Sequence, residues 1–197
     1  MATTLAYSPD LTDDELVQLF QARGGRDDRP FRELFRRYQA VVWRACYGMM
    51  RNADDAEDLT QEVFFKAYRN LNKFEGRSSF KTWIYRIAIN TAQNEIRRRK
   101  RRAQEAETAV EEMAEYLPSD TFLESALEEK QQRRLLQEAL ADVRPEEYEV
   151  LYLKDIEDRP YAEIAEILGI SLSAAKMRVQ RARLALRVSY RQIAGEV

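Results

Sequence analysis

The chain has 197 residues, no histidine and one cysteine, Cys46. Without histidine there is no imidazole acid–base chemistry near neutral pH. A single thiol forms no intramolecular disulfide and does not make a zinc site. Glycine and proline are scarce, at six and five residues. That scarcity disfavours an architecture of short strands and tight turns and favours helices. No apolar run approaches the ~20 residues of a membrane span. Residues 1–10 lack the basic start and apolar core of a signal peptide, so the cytoplasm is the expected compartment. No cofactor or metal is expected.

Charge is abundant: 34% of residues are Asp, Glu, Lys or Arg, against 45% hydrophobic, with a net charge of -2. The charge is segregated. The run Arg97, Arg98, Arg99, Lys100, Arg101, Arg102 is followed by nine acids and one base between Ala103 and Lys130. From Lys176 to Val197 there are six bases against Glu196. Basic patches attract phosphates and an acidic connector repels them. The isolated chain is therefore expected to bind DNA poorly and to need a partner that presents it.

Thr12, Asp13, Asp14 and Glu15 read as a capping box opening a first helix that ends near Gly24-Gly25. Pro30 suits the start of a second helix, along which Phe31, Leu34, Phe35, Tyr38, Val42, Ala45, Cys46 and Met49 recur at helical spacing. Asn52 or Asp54 caps a third helix reaching about Leu71. After a loop at 72–79, a long helix runs from about Phe80 into the basic run. The expected fold is all-α, two small helical domains joined by a flexible acidic linker. The boundaries are a tail at 1–10, a first domain at 11–102, the linker at 103–126 and a second domain at 127–197.

Three faces carry candidate chemistry. On the third helix Asp58, Gln61, Glu62, Phe65 and Arg69 lie opposite the apolar stripe. A phenylalanine among acids suits a protein partner, since the acids repel DNA; the alternative is that Phe65 packs under a neighbouring helix. On the fourth helix Trp83, Arg86, Asn90, Gln93, Asn94 and Arg97 form a stripe opposite Tyr85, Ile89, Ala92 and Ile96. Rings, amides and guanidinium groups together suit unstacked bases, and the loop at 72–79 could wall a pocket for a flipped one; the alternative is an ordinary polar helix face. Near the C-terminus Tyr161, Ile164, Ala165 and Leu168 form one apolar face. Gly169 suits a left-handed turn, Ile170 plugs the core and Ser171 caps the next helix. There Leu172, Ala175, Val179, Ala182 and Leu186 form the inner stripe. Ser173, Lys176, Met177, Gln180, Arg181 and Leu184 face out, with Arg178 and Arg183 on the flanks. That is the pattern of a helix-turn-helix whose second helix reaches base edges; the alternative is an amphipathic hairpin with a solvated basic face.

The strings DAEDLTQEVFFKAYRNLNKF, FEGRSSFKTWIYRIAINTAQNEIRRRKRR and RPYAEIAEILGISLSAAKMRVQRARLALR, in this order, resemble the extracytoplasmic-function sigma factors of the sigma-70 family. The resemblance implies a bacterial alternative sigma factor, not an enzyme, with 11–102 as region 2 and 127–187 within region 4. It implies that Asp58, Gln61 and Glu62 dock on the beta-prime clamp helices of core RNA polymerase, and Phe65, on the same face, joins them as a polymerase-binding candidate. The loop and fourth helix, with Asn72, Arg77, Ser78, Trp83, Arg86, Asn90, Gln93 and Arg97, would recognise and open the -10 element, Asn90 holding a flipped base. The last helix, with Ser173, Lys176, Met177, Arg178, Gln180, Arg181 and Arg183, would read the -35 duplex. The beta-subunit flap and an anti-sigma factor, often membrane-anchored, are further implied partners. Arg144-Pro145 stands where the family has Leu-Pro, and Ala174-Ala175-Lys176-Met177 where it often has Thr-Val-Lys-Ser, so the promoter sequence does not carry over. Two rivals remain from the residues alone. A stand-alone helix-turn-helix regulator would bind a symmetric operator without polymerase. A nucleic-acid enzyme would need a catalytic cluster, whereas Asp54, Asp55, Glu57 and Asp58 read as helix N-terminal charge.

Overall fold

A computed structural model describes residues 11–24, 26–106 and 126–195. The expected tail and most of the expected connector lie outside the described residues. Eight α-helices are described, and no strand: α1 (Asp13–Ala22), α2 (Arg29–Met50), α3 (Ala53–Asn70), α4 (Phe80–Ala106), α5 (Ala126–Asp142), α6 (Pro145–Leu151), α7 (Tyr161–Leu168) and α8 (Leu172–Ala194). A 3-10 turn at Leu71–Lys73 follows α3, and a π-helical turn at Tyr152–Ile156 continues α6. The chain divides into two compact units, Met1–Tyr47 with Ala53–Lys100, and Gly48–Asn52 with Arg101–Val197.

In the first unit α1 opens as its sequence dictates. Thr12 Oγ1 accepts from the Glu15 N–H, and a Glu15 carboxylate oxygen accepts from the Thr12 N–H at 2.7 Å. Leu16, Val17 and Phe20 of α1 pack with Leu34 and Val42 of α2, Val63, Phe64 and Ala67 of α3, and Ile84, Ala88 and Ala92 of α4 in the buried core. Cys46 is buried there, and burial pushes its thiol up to about 12. Phe35, expected in this core by its spacing, is instead exposed. Its ring packs at a steep angle on Phe64, 4.6 Å centroid to centroid. Tyr38 donates to Asp13, Arg37 donates to the same carboxylate at 3.0 Å, and Glu33 accepts from both Arg36 and Arg37. This polar cluster fastens α1 to α2.

Two details differ from expectation and bear on the site. Asn72 sits in a 3-10 turn rather than an open loop, because the Gln21 side-chain amide donates to the carbonyls of Leu71 at 2.9 Å and Phe74 at 2.8 Å. The helix α4 also runs past Arg102 to Ala106, into the expected connector. Ala103, Gln104, Glu105 and Ala106 are all strong helix formers, so nothing local stops it.

In the second unit Ala139, Tyr148, Val150, Leu151, Tyr152, Leu153, Ile164, Ala165, Ile167, Ala175, Val179 and Ala182 are buried. Pro145 takes the first turn of α6, where its missing N–H costs nothing. Gly169 ends α7 at φ 64°, ψ 37°, in the left-handed region. Ser171 then caps α8, its Oγ accepting from the Ala174 N–H at 3.2 Å. The inner face of α7 is Ile164, Ala165 and Ile167, while Tyr161, Leu168 and Ile170 are only half-buried. Leu172 is exposed and Leu186 half-buried, so the tight stripe of α8 is Ala175, Val179, Ala182 and Ser189.

Candidate docking and nucleic-acid faces

On α3 the buried positions Ala56, Leu59, Thr60, Val63, Phe64 and Ala67 occupy one side. Asp58, Gln61, Glu62 and Phe65 are all exposed on the other. Phe65 is 62% exposed, so no helix among the described residues covers it. The Arg69 guanidinium lies 5.6 Å from its ring centroid, a cation–π arrangement that holds the ring at the surface. An uncovered aromatic ring surrounded by acids suits a protein partner bearing basic groups.

Beside this face a groove of about 580 Å³ runs between α3, the 3-10 turn and α4. Phe74, Trp83, Ile87, Asn90, Thr91 and Asn94 line one wall, and Lys66, Asn70 and Lys73 the other. Its head is fixed from two sides. The Gln21 amide ties down the turn, and Ser79 Oγ accepts from the Thr82 N–H at 3.1 Å to start α4. Phe74 and Phe80 then flank Trp83, with centroids 5.0 and 5.7 Å away. The groove offers ring faces for stacking, amides for base edges and ammonium groups for phosphate. Of the -10 candidates, Trp83 and Asn90 line it; Asn72, Arg77, Ser78, Arg86, Gln93 and Arg97 do not. Arg77 pairs with Glu75 at 2.5 Å. Arg97 donates to Asn94 at 3.0 Å and Gln93 at 3.3 Å. Lys66, Asn70 and Lys73 were missed by sequence reasoning, because the wall they form exists only once α3 and α4 are side by side.

The basic run is divided in its use. Arg98 pairs with Glu95 at 2.6 Å, and Arg99 pairs with Glu95 at 2.9 Å and with both carboxylate oxygens of Asp55 at 2.8 and 2.5 Å. Arg98 and then Arg99 hold the Glu95 carboxyl below its usual range. Two guanidinium groups of the run thus lace α4 to itself and to α3.

On α8, Ser173, Lys176, Met177, Arg178, Gln180, Arg181 and Arg183 are all exposed, as the stripe predicts. Two of the arginines carry intramolecular partners. Arg183 forks onto Asp155 of the π-helical turn, with Nε 3.1 Å from the carboxylate, and Arg178 lies 3.7 Å from the fully buried Glu149 of α6. Both fasten the helix to the structure beneath it. Past them, Leu184, Ala185 and Val188 border a groove of about 390 Å³ that reaches Val143. Leu184 is 59% exposed. Among the described residues no group of three His, Cys, Asp or Glu converges as a metal site, and no helix is long and apolar enough to cross a membrane.

Comparison with known proteins gives the chain its class. The family model for sigma-70 region 2 matches residues 34–102, and that for sigma-70 region 4 matches residues 133–186. The chain is 34% identical to the RNA polymerase sigma-H factor of Pseudomonas aeruginosa, over 89% of this chain and 94% of that protein. It is 33% identical to the ECF RNA polymerase sigma factor SigW of Bacillus subtilis, over 85% of this chain and 92% of that one. Among solved structures, the sigma factor RpoE of Bartonella quintana, crystallised with the anti-sigma factor NepR, has the same fold. The TM-score is 0.66 at 23% identity, covering 81% of this chain and 95% of that one. The chain belongs to the extracytoplasmic-function group of the sigma-70 family. It is an alternative sigma factor, a non-enzymatic initiation factor that works with core RNA polymerase and promoter DNA. This family membership displaces the stand-alone regulator.

Proposed function

We propose that the three faces divide the work of promoter opening. Residues 11–102 act as the unit that docks on core polymerase and holds melted DNA, 103–126 join, and 127–197 read duplex. Asp58, Gln61, Glu62 and Phe65 seat on the beta-prime clamp helices. Trp83 and Asn90 hold a flipped -10 base in the groove, and Asn72, Arg77, Ser78, Arg86, Gln93 and Arg97 follow the displaced strand. Ser173, Lys176, Met177, Gln180 and Arg181 meet the -35 duplex. Arg178 and Arg183, which also pair with Glu149 and Asp155, reach its phosphates with their remaining donors. The apolar groove beside Leu184 and Val188 takes the beta flap. The free protein resides in the cytoplasm, or is held at the membrane by an anti-sigma factor that covers these faces.

Opening in this scheme is driven by binding. Each flipped base exchanges stacking in the duplex for stacking on a ring and hydrogen bonds to an amide. The observation that carries the reading is the juxtaposition of a 62% exposed Phe65 with a groove that presents Trp83 and Asn90. The test is Asn90→Ala in reconstituted holoenzyme on a promoter selected from genomic fragments. Permanganate reactivity of -10 thymines should be lost while the closed complex persists in a gel shift. Unchanged reactivity would remove Asn90 from base capture.

A further inference from the structure

Lys66 stands on the ridge between the docking face and the base groove. Its Nζ is 2.7 Å from Glu62 Oε1 on one side and 3.1 Å from Thr91 Oγ1 on the other. Lys66, Asn70 and Lys73 also line a second groove of about 470 Å³ with Glu62, Phe65 and Arg69, so this ridge is a wall common to both. An ammonium group has three donors and a flexible stem, so it can exchange one partner while keeping another. The Lys66 and Glu62 side chains are 41% and 51% exposed, and an ion pair so exposed is weak enough to be traded for a competing cation.

We infer that Lys66 couples docking to base capture. In the free chain Glu62 neutralises the ammonium at the mouth of the groove, and the groove attracts phosphate poorly. A docking partner that brings its own cation to Glu62 releases Lys66, which then faces the groove with its full charge, still anchored by Thr91. Single-strand affinity rises only on docking. The inference rests on the docking role proposed above for the Glu62 face.

A double-mutant cycle tests it, read by fluorescence anisotropy of a short labelled single-stranded DNA of randomised sequence at low ionic strength. Both side chains are half-exposed, and circular dichroism checks that each variant folds. Glu62→Gln in the free protein should raise affinity about threefold, the scale of a surface ion pair. In a Lys66→Met background the same change should do nothing. A gain that survives Lys66→Met would mean Glu62 simply repels phosphate, and the coupling would be overturned. In holoenzyme, Lys66→Met should lower the slope of log affinity against log salt by about 0.7, one phosphate on a single strand. An equal fall in the free chain would also overturn the coupling. Retention of Glu62→Gln on immobilised core polymerase is measured separately. Undiminished retention removes the docking role, whereas a failed cycle removes only the link to the groove.

Discussion

Replacing Phe65 with alanine removes the largest uncovered apolar group on α3 and nothing beneath it. The ring is 62% exposed, while its neighbours Val63, Phe64 and Ala67 are buried. A phenylalanine buries roughly 200 Å² when fully covered. The fraction available to a partner, at about 25 cal/mol per Å², is worth about 3 kcal/mol. That is about a hundredfold in Kd. Incomplete cover by the partner reduces the gain, so a tenfold to hundredfold weakening is the expected range, on the order of 1.4–3 kcal/mol. Biolayer interferometry of the variant against immobilised core polymerase measures it directly. Thermal unfolding should not move, because the truncated atoms face water and no cavity forms. A drop in Tm with unchanged Kd would place the ring in this protein's own packing and refute the docking assignment.

Further outcomes separate the remaining roles. Lys176→Ala and Arg181→Ala should each cost ~1–3 kcal/mol of promoter discrimination for every base edge no longer read, with polymerase affinity intact. Arg183→Ala, whose guanidinium is held by Asp155, should leave discrimination unchanged in the same run-off transcription assay; equal losses at 181 and 183 would contradict this division. Glu33 is buried, and its carboxyl is held down to about 2 by Arg36 and then Arg37. A depressed folded-state value stabilises the fold above the ordinary carboxylate range and loses that contribution as pH falls towards 2. Glu33→Gln should therefore lower Tm at neutral pH, and the gap to the unaltered protein should close in acid titration. Cys46 should resist iodoacetamide in the native state and react at the rate of unfolding, since the thiolate is the reactive form and burial disfavours it; rapid native labelling would contradict its place in the core.

Local chemistry was the most legible part of the sequence. The Thr12–Glu15 capping box, the left-handed Gly169 and the Ser171 cap each follow from residues within three positions of one another. The outward face of α8 was legible for the same reason, a single period repeated over several turns. What escaped depends on contacts between distant segments. Spacing put Leu168 on the inner face of α7, whereas Ile167 is buried there and Leu168 is only half-buried, a choice made by packing against α8. Phe35 matches the core period of α2 yet is 37% exposed, packed on Phe64 at the margin of the core. The pairing of Arg183 with Asp155, 28 positions earlier, and of Arg99 with Asp55, 44 earlier, carries no periodic signal. The π-helical turn at Tyr152–Ile156 likewise had no marker beyond an apolar run.

The uninterrupted course of α4 has a metrical consequence. Asn90 and Lys100 lie ten residues apart on one rod, which at about 1.5 Å per residue separates them by roughly 15 Å. A loop between the two would let the gap breathe; a stiff shaft holds the basic run at a fixed distance from Asn90.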